Sequence, residues 1–187
     1  MDRKPIITIA GFQGSGKSST ARLVAKKLNF KHFSSGDLFR EIAKERGLSI
    51  EAINLTAEEQ KEIDYEVDER LKAMANDRDL VIDSRLAFHW IPDSFKVFLL
   101  LDPDTAAERI YEQIRTEGRK SQSAASIEEV KKNIEIRRAS EKRRYFDLYQ
   151  LDPMDPAHFD VVIDTKENGL EAVAEKVVDA YRGWASA

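Results

Sequence analysis

Cysteine is absent from this sequence of 187 residues. That excludes disulfide bridges, thiol catalysis and any cysteine-bound zinc. Histidine is scarce: His32, His89 and His158 stand far apart in sequence, without metal-ligand spacing. No apolar run approaches the ~20 residues that a membrane-spanning helix requires. Positive charge is not in excess, the formal net charge being −4 with charged residues at 34%. A net-basic nucleic-acid binder is therefore not expected. The first residues, Met1-Asp2-Arg3-Lys4-Pro5, lead straight into an apolar run, so no signal peptide is expected. Internal repeats and low-complexity tracts are lacking. What remains is one cytoplasmic α/β domain, large enough to bury a core.

The segment Gly11-Phe12-Gln13-Gly14-Ser15-Gly16-Lys17-Ser18 has the spacing GxxxxGKS. Before it, Ile6-Ile7-Thr8-Ile9-Ala10 is β-branched and uninterrupted, as a strand buried on both faces should be. After it, Ser19 to Leu28 reads helical, with Ala21, Leu23, Val24, Ala25 and Leu28 along one side. A strand, a glycine loop and a helix N-terminus make an anion site, because backbone N–H groups and the positive end of the helix dipole converge there. Lys17 is expected to reach the β/γ-phosphates of a nucleoside triphosphate, and the Ser18 hydroxyl to bind Mg²⁺. A glycine-rich turn without a ligand would not need strand, motif and helix together.

Further β-rich runs follow at Lys31-His32-Phe33, Leu80-Val81-Ile82, Val97 to Leu101 and Phe159 to Ile163. Helical patterns lie between them: Asp37 to Arg46, Glu58 to Ala75, Asp104 to Glu117, Ile127 to Tyr149 and Leu170 to Tyr181. Such alternation predicts a parallel sheet with helices on both faces, and a ligand beyond the carboxyl ends of its strands. Thr116 to Ser126 is polar and small, and reads as a flap or as an ordinary surface connection.

Asp83 ends a strand, as a Walker B acid holding Mg²⁺ would, although turn formers and helix caps occupy the same place. Arg40 lies one turn into the helix that follows Ser35-Gly36-Asp37, where it suits a second phosphate or a solvated surface. Arg85 is another candidate clamp. Arg137, Glu141 and Arg144 are spaced i, i+4, i+7 and share one helix face. That face reads as a solvated Arg–Glu run, or as cations awaiting an anion. An RNA-binding patch is a third reading, with Tyr145 and Phe146 as its only aromatics. Phosphoryl transfer asks for positioning and charge neutralisation, so an acceptor nucleotide accounts for Arg40, Arg85, Arg137 and Arg144 together. No Asn-Lys-x-Asp guanine motif occurs; Asp164-Thr165-Lys166-Glu167 does not fit it.

Taken together, these residues resemble the nucleoside monophosphate kinases of the P-loop class, and most closely the short archaeal-type cytidylate kinases. The resemblance runs through GFQGSGKS at 11–18, SGDLFREIAKERG at 35–47, EIDYEVD at 62–68, DSRLA at 83–87 and RRASEKRRY at 137–145. It implies a P-loop kinase fold with a five-stranded parallel sheet, whose core is 1–35, 76–114 and 145–187. An acceptor-binding segment over 36–75 and a lid region over 115–144 complete the implied domain. By position, Lys17, Arg85, Arg137 and Arg144 look catalytic, and Arg109 looks like the residue near the ATP adenine. With Arg109, the loop residues 11–18 and Ser19 make the implied ATP site. Ser35, Gly36, Asp37, Arg40, Arg85 and Glu141 make the implied acceptor site. Ser18, Asp83 and Asp37 match groups that order Mg²⁺. Ser84 departs from a family glycine, and Thr116 to Ser126 is longer than the family suggests. Asp64 and Asp68, at i, i+4, read most simply as a solvated acidic face, and otherwise as acceptors for a cytosine amino group.

The expected activity is transfer of the ATP γ-phosphoryl to CMP or dCMP by a monomer, without nucleic-acid or membrane partners. An adenylate kinase, another monophosphate kinase or a non-catalytic P-loop switch are the alternatives.

Overall fold

The computed structural model describes residues 5–47, 62–117 and 126–187. Residues 58–61 of the expected Glu58 to Ala75 helix, and 118–125 of the loop-like stretch, lie outside the described residues. The proposed acceptor and lid segments therefore fall partly outside them.

Five parallel strands form one sheet: β1 (Ile6–Gly11), β2 (Lys31–Ser34), β3 (Leu80–Asp83), β4 (Phe95–Leu100) and β5 (Val161–Asp164), in the order β2-β3-β1-β4-β5. The central strand β1 is buried at all six positions, which is why it reads as an unbroken apolar run. Its one polar side chain, Thr8, meets Ser94 Oγ at 3.0 Å. Helices α1 (Lys17–Leu28) and α7 (Leu170–Ser186) cover one face, burying Val24 and Val177 against Ile7, Ile9, Val97 and Leu99. On the other face α3 (Glu62–Met74) and the short α4 (Ala87–Trp90) bury Leu71 and Ala87 against Ile6, Leu80 and Ile82. Helix α2 (Ser35–Glu45) packs Leu38 and Ile42 on Ile63. Helices α5 (Pro103–Glu117) and α6 (Ile127–Tyr149) share a separate apolar seam through Ala107, Ile110, Val130 and Ile134.

The chain leaves β1 toward β2 on one side of the sheet and crosses from β3 to β4 on the other. The carboxyl ends of β1 and β3 therefore flank a crevice, the usual ligand position in such sheets. Some element bounds differ from expectation for local reasons. Asp155 caps a 3₁₀ turn at Pro156–His158 through the Ala157 N–H (2.9 Å), which delays β5 to Val161. Helix α4 is too short to leave a periodic pattern. His158 stacks on Phe88 at 5.3 Å, while His89 meets Trp90 edge-on at 4.5 Å in a separate ring group.

Candidate active site

The loop after β1 is shaped by glycines. Gly11 has φ +148°, and a Cβ there would stand 2.4 Å from the Leu99 carbonyl oxygen on β4. Gly16, at φ +81°, turns the chain into α1. The loop is tied by its own side chains: Ser15 Oγ donates to the Phe12 carbonyl (2.7 Å), and Lys17 Nζ donates to the same oxygen (2.9 Å). Burial, then the Arg85 charge, pull the Lys17 ammonium down to about 7. An anion seated at the N-terminus of α1 would restore its charge.

Asp83, at the end of β3, is buried and gathers three donors. Its Oδ1 accepts from Ser18 Oγ (3.2 Å) and Ser34 Oγ (3.1 Å), and its Oδ2 from His32 Nε2 (2.9 Å). Register explains the meeting, because Ser34 stands opposite Asp83 and His32 lies two residues earlier on the same face of β2. Ser34 belongs to the polar strand end Ser34-Ser35-Gly36-Asp37 that the sequence offers beside the ligand position, whereas nothing in the sequence pointed to His32. Two hard oxygens, from Ser18 and Asp83, suit Mg²⁺, which takes few protein ligands beside substrate phosphates. Asp37 stands apart: its carboxylate pairs with Arg40, and only its N–H reaches Ser34 Oγ (3.4 Å).

Asp64 and Asp68 of α3, and Glu141 and Arg144 of α6, do not form the solvated faces that their spacing suggests. Glu141 is 4% exposed and bridges Arg85 Nε (2.7 Å) and Arg137 Nε (2.8 Å). Burial favours its neutral form, but the two guanidinium groups outweigh this and hold its carboxyl below the ordinary range. Asp64 faces Arg144 Nε at 3.3 Å, and Asp68 accepts from Trp90 Nε1 (2.8 Å) and from the Tyr149 hydroxyl. Both acids are buried. The i, i+4 spacing was right about a shared face; what covers that face comes from residues far along the chain.

Burial pushes the Asp64 carboxyl up from 3.8 to about 6; Arg144 opposes this, while Asp68 and Glu141 add to it. Between those two values the folded state keeps a proton that the unfolded state has lost. Asp64 therefore costs stability progressively as pH rises through that window. Asp64→Asn removes this dependence. Its stability relative to the native protein is expected to rise by about 1 kcal/mol between about pH 5 and about pH 7.5, read from urea melts. A pH-independent offset would show Asp64 to be an ordinary carboxyl.

One cleft of about 530 Å³ brings most candidate residues together: Gln13, Gly14, Gly16 to Ser19, Ser35, Gly36, Arg40, Asp83, Arg85, Arg137, Glu141 and Arg144. Gly11, Phe12, Ser15, Asp37 and Arg109 do not line it. Phe12 instead packs edge-on against Phe98 and carries the Arg138 guanidinium 4.0 Å over its ring, a contact between loop and α6 that no motif indicated. Arg109 donates to the Thr165 (2.8 Å) and Lys166 (2.9 Å) carbonyls, fixing the loop after β5. No described helix is long and apolar enough to cross a membrane.

Residues 10–128 match the family described as AAA domain, to which the chain belongs through its nucleotide-binding fold. A cytidylate kinase of Methanothermobacter thermautotrophicus is 36% identical, over 89% of this chain and 99% of its own. One from Methanopyrus kandleri is 34% identical, over 86% of this chain and 84% of its own. The shikimate kinase of Bacteroides thetaiotaomicron superposes with a TM-score of 0.64 at 17% identity, covering 95% of this chain and 98% of that one. This last likeness concerns the fold, an α/β P-loop kinase fold. Identity at this level across nearly the full length of both archaeal chains means that the protein belongs to the P-loop nucleoside monophosphate kinases, in the cytidylate kinase family of ATP-dependent phosphotransferases.

Proposed function

We propose that this enzyme transfers the γ-phosphoryl group of ATP to CMP or dCMP, giving CDP or dCDP and ADP. The observation that carries the reading is Glu141, a buried carboxylate holding Arg85 and Arg137 on the wall of the cleft that also contains Lys17. A phosphoryl group in transit spreads charge over its equatorial oxygens, and catalysis consists largely of cations already in place to meet it. Lys17 and the N-terminus of α1 take the donor phosphates. Arg40 and Arg85 clamp the acceptor phosphate, with Ser35, Gly36 and Asp37 forming the turn beneath it. Arg137 approaches from α6, and Arg144 lines the same cleft about two turns further along that helix. Ser18 and Asp83 would hold Mg²⁺, which when bound would neutralise charge on the donor phosphates. Arg109 supports the adenine side by fixing the loop after β5.

In this reading residues 36–75 cover the acceptor and 115–144 form the lid. The enzyme acts as a cytoplasmic monomer. ADP release at fixed MgATP is to be measured against CMP, dCMP, UMP, AMP and GMP. CMP and dCMP are expected well ahead of UMP, with AMP and GMP poor. AMP equal to CMP would make it an adenylate kinase, and no stimulation by any acceptor would make it a P-loop switch.

A further inference from the structure

The cleft draws its cations, Lys17, Arg22, Arg40, Arg85, Arg137 and Arg144, from elements other than α3. The part supplied by α3 differs: Val67 and Leu71 stand there beside the buried carboxylates of Asp64 and Asp68, and Phe39 of α2, which also lines the cleft, packs like Val67 against the cluster of Leu38, Ile42 and Ile63. Two carboxylates repel a phosphate, whereas an uncharged ring carrying N–H donors suits apolar walls with a buried acceptor.

The two acids are not equivalent. Asp68 is occupied on both oxygens, Oδ1 by Trp90 Nε1 and Oδ2 by the Tyr149 hydroxyl. Those bonds tie α3 to α4 and to the end of α6. Asp64 is only 6% exposed, yet its Oδ2 makes no hydrogen bond among the described residues. Arg144 Nε, 3.3 Å away, is equally without one, so the pair attracts by charge while a buried acceptor and a buried donor stay unsatisfied side by side in two residues that line the cleft. A buried acceptor left open in this way is costly unless a ligand completes it.

Cytosine offers an amino donor at N4 beside the ring acceptor N3, which complements a carboxylate beside a guanidinium. Uracil places a carbonyl and an N–H at the same two positions, and so sets acceptor against acceptor. Position along α6 agrees: Arg144 lies seven residues from Arg137, about 10 Å along a helix axis. The pair thus sits away from the arginine given to the phosphates, as the base of a nucleotide must.

We propose that Asp64, with Arg144 beside it, reads the exocyclic amino group of the acceptor base, and that Asp68 holds α3 in place for it. The inference rests on the monophosphate kinase reading above. Its test is kcat/KM for two matched pairs, CMP with UMP and AMP with IMP, in the native enzyme, Asp64→Asn and Asp64→Glu. An amide can turn its NH₂ toward a carbonyl, so Asp64→Asn is expected to lose about a hundredfold on CMP and to narrow the CMP:UMP ratio at least about tenfold. Asp64→Glu keeps the charge and the acceptor, and should recover the preference for CMP. A ratio is insensitive to how much of a variant is folded, since both acceptors meet the same sample. Equal losses on CMP and UMP, or an unchanged ratio in both variants, would overturn the inference. Native preference for AMP would refute the acceptor assignment alone, and the AMP:IMP ratio would then decide Asp64. Native preference for UMP, or indifference to every monophosphate, would overturn both.

Discussion

Lys17→Ala is expected to lower kcat by about a thousandfold or more while leaving the fold intact, because a preorganised cation at the transferring group supplies several kcal/mol. Lys17 is the ammonium placed by the loop itself, held on the Phe12 carbonyl at 2.9 Å. Loss of the side chain should not unfold the protein. Its charge is disfavoured by burial and by Arg85 before any phosphate arrives, and Ser15 Oγ still holds the Phe12 carbonyl when the Lys17 bond is lost. The melting temperature should therefore hold or rise. Steady-state kinetics and a thermal melt on one preparation decide the matter. Near-native kcat in a folded variant would remove Lys17 from catalysis, and early melting would make it a structural residue.

Glu141→Gln has the second large effect, and it falls on stability. The carboxylate is almost fully buried between Arg85 and Arg137, with Arg144 adding to the field around it. Neutralising it leaves two guanidinium groups without their shared counter-ion. Breaking a buried ion pair from one side costs about 3–5 kcal/mol. For a chain of this size that is a fall in Tm of roughly 10 °C. Anions should restore the variant more than the native protein, since sulfate or a nucleotide replaces the missing charge. A variant that melts as the native protein does, with no greater response to sulfate, would show that Glu141 is dispensable to the cluster.

The donor half of the site could be read from the sequence because its determinants are contiguous. Strand, loop and helix occupy Ile6 to Leu28 without a break, and each residue type has a local reason: β-branching for the buried strand, glycine where φ is positive, lysine and serine at the helix start. Helix α6 was equally legible, its bounds matching the expected Ile127 to Tyr149 because Ser126 caps it and the apolar Val130 and Ile134 recur at helical spacing. The polar interior was not legible. Asp64, Asp68 and Glu141 look like surface residues until Arg85, Trp90, Arg144 and Tyr149 are brought against them from up to 81 positions away. Spacing reveals which residues share a face. It does not reveal whether water or protein lies opposite. His32 escaped notice for a related reason, since its meeting with Asp83 depends on the pairing of β2 with β3, strands far apart in sequence.

The bond from Trp90 to Asp68 gives the enzyme an internal optical probe. Only two tryptophans exist in the chain. Trp184 is packed against Phe95 and Tyr181 on the α7 face, remote from the cleft in both sheet face and partners. Trp90 has its indole N–H on an acid that lines the cleft, and Lys72 Nζ lies 4.2 Å over its ring. Indole emission responds to charge at its nitrogen and over its rings, so in the proposed reading the fluorescence of Trp90 is expected to follow the seating of an acceptor against α3 without any label, with Trp184 as a steady background beneath it.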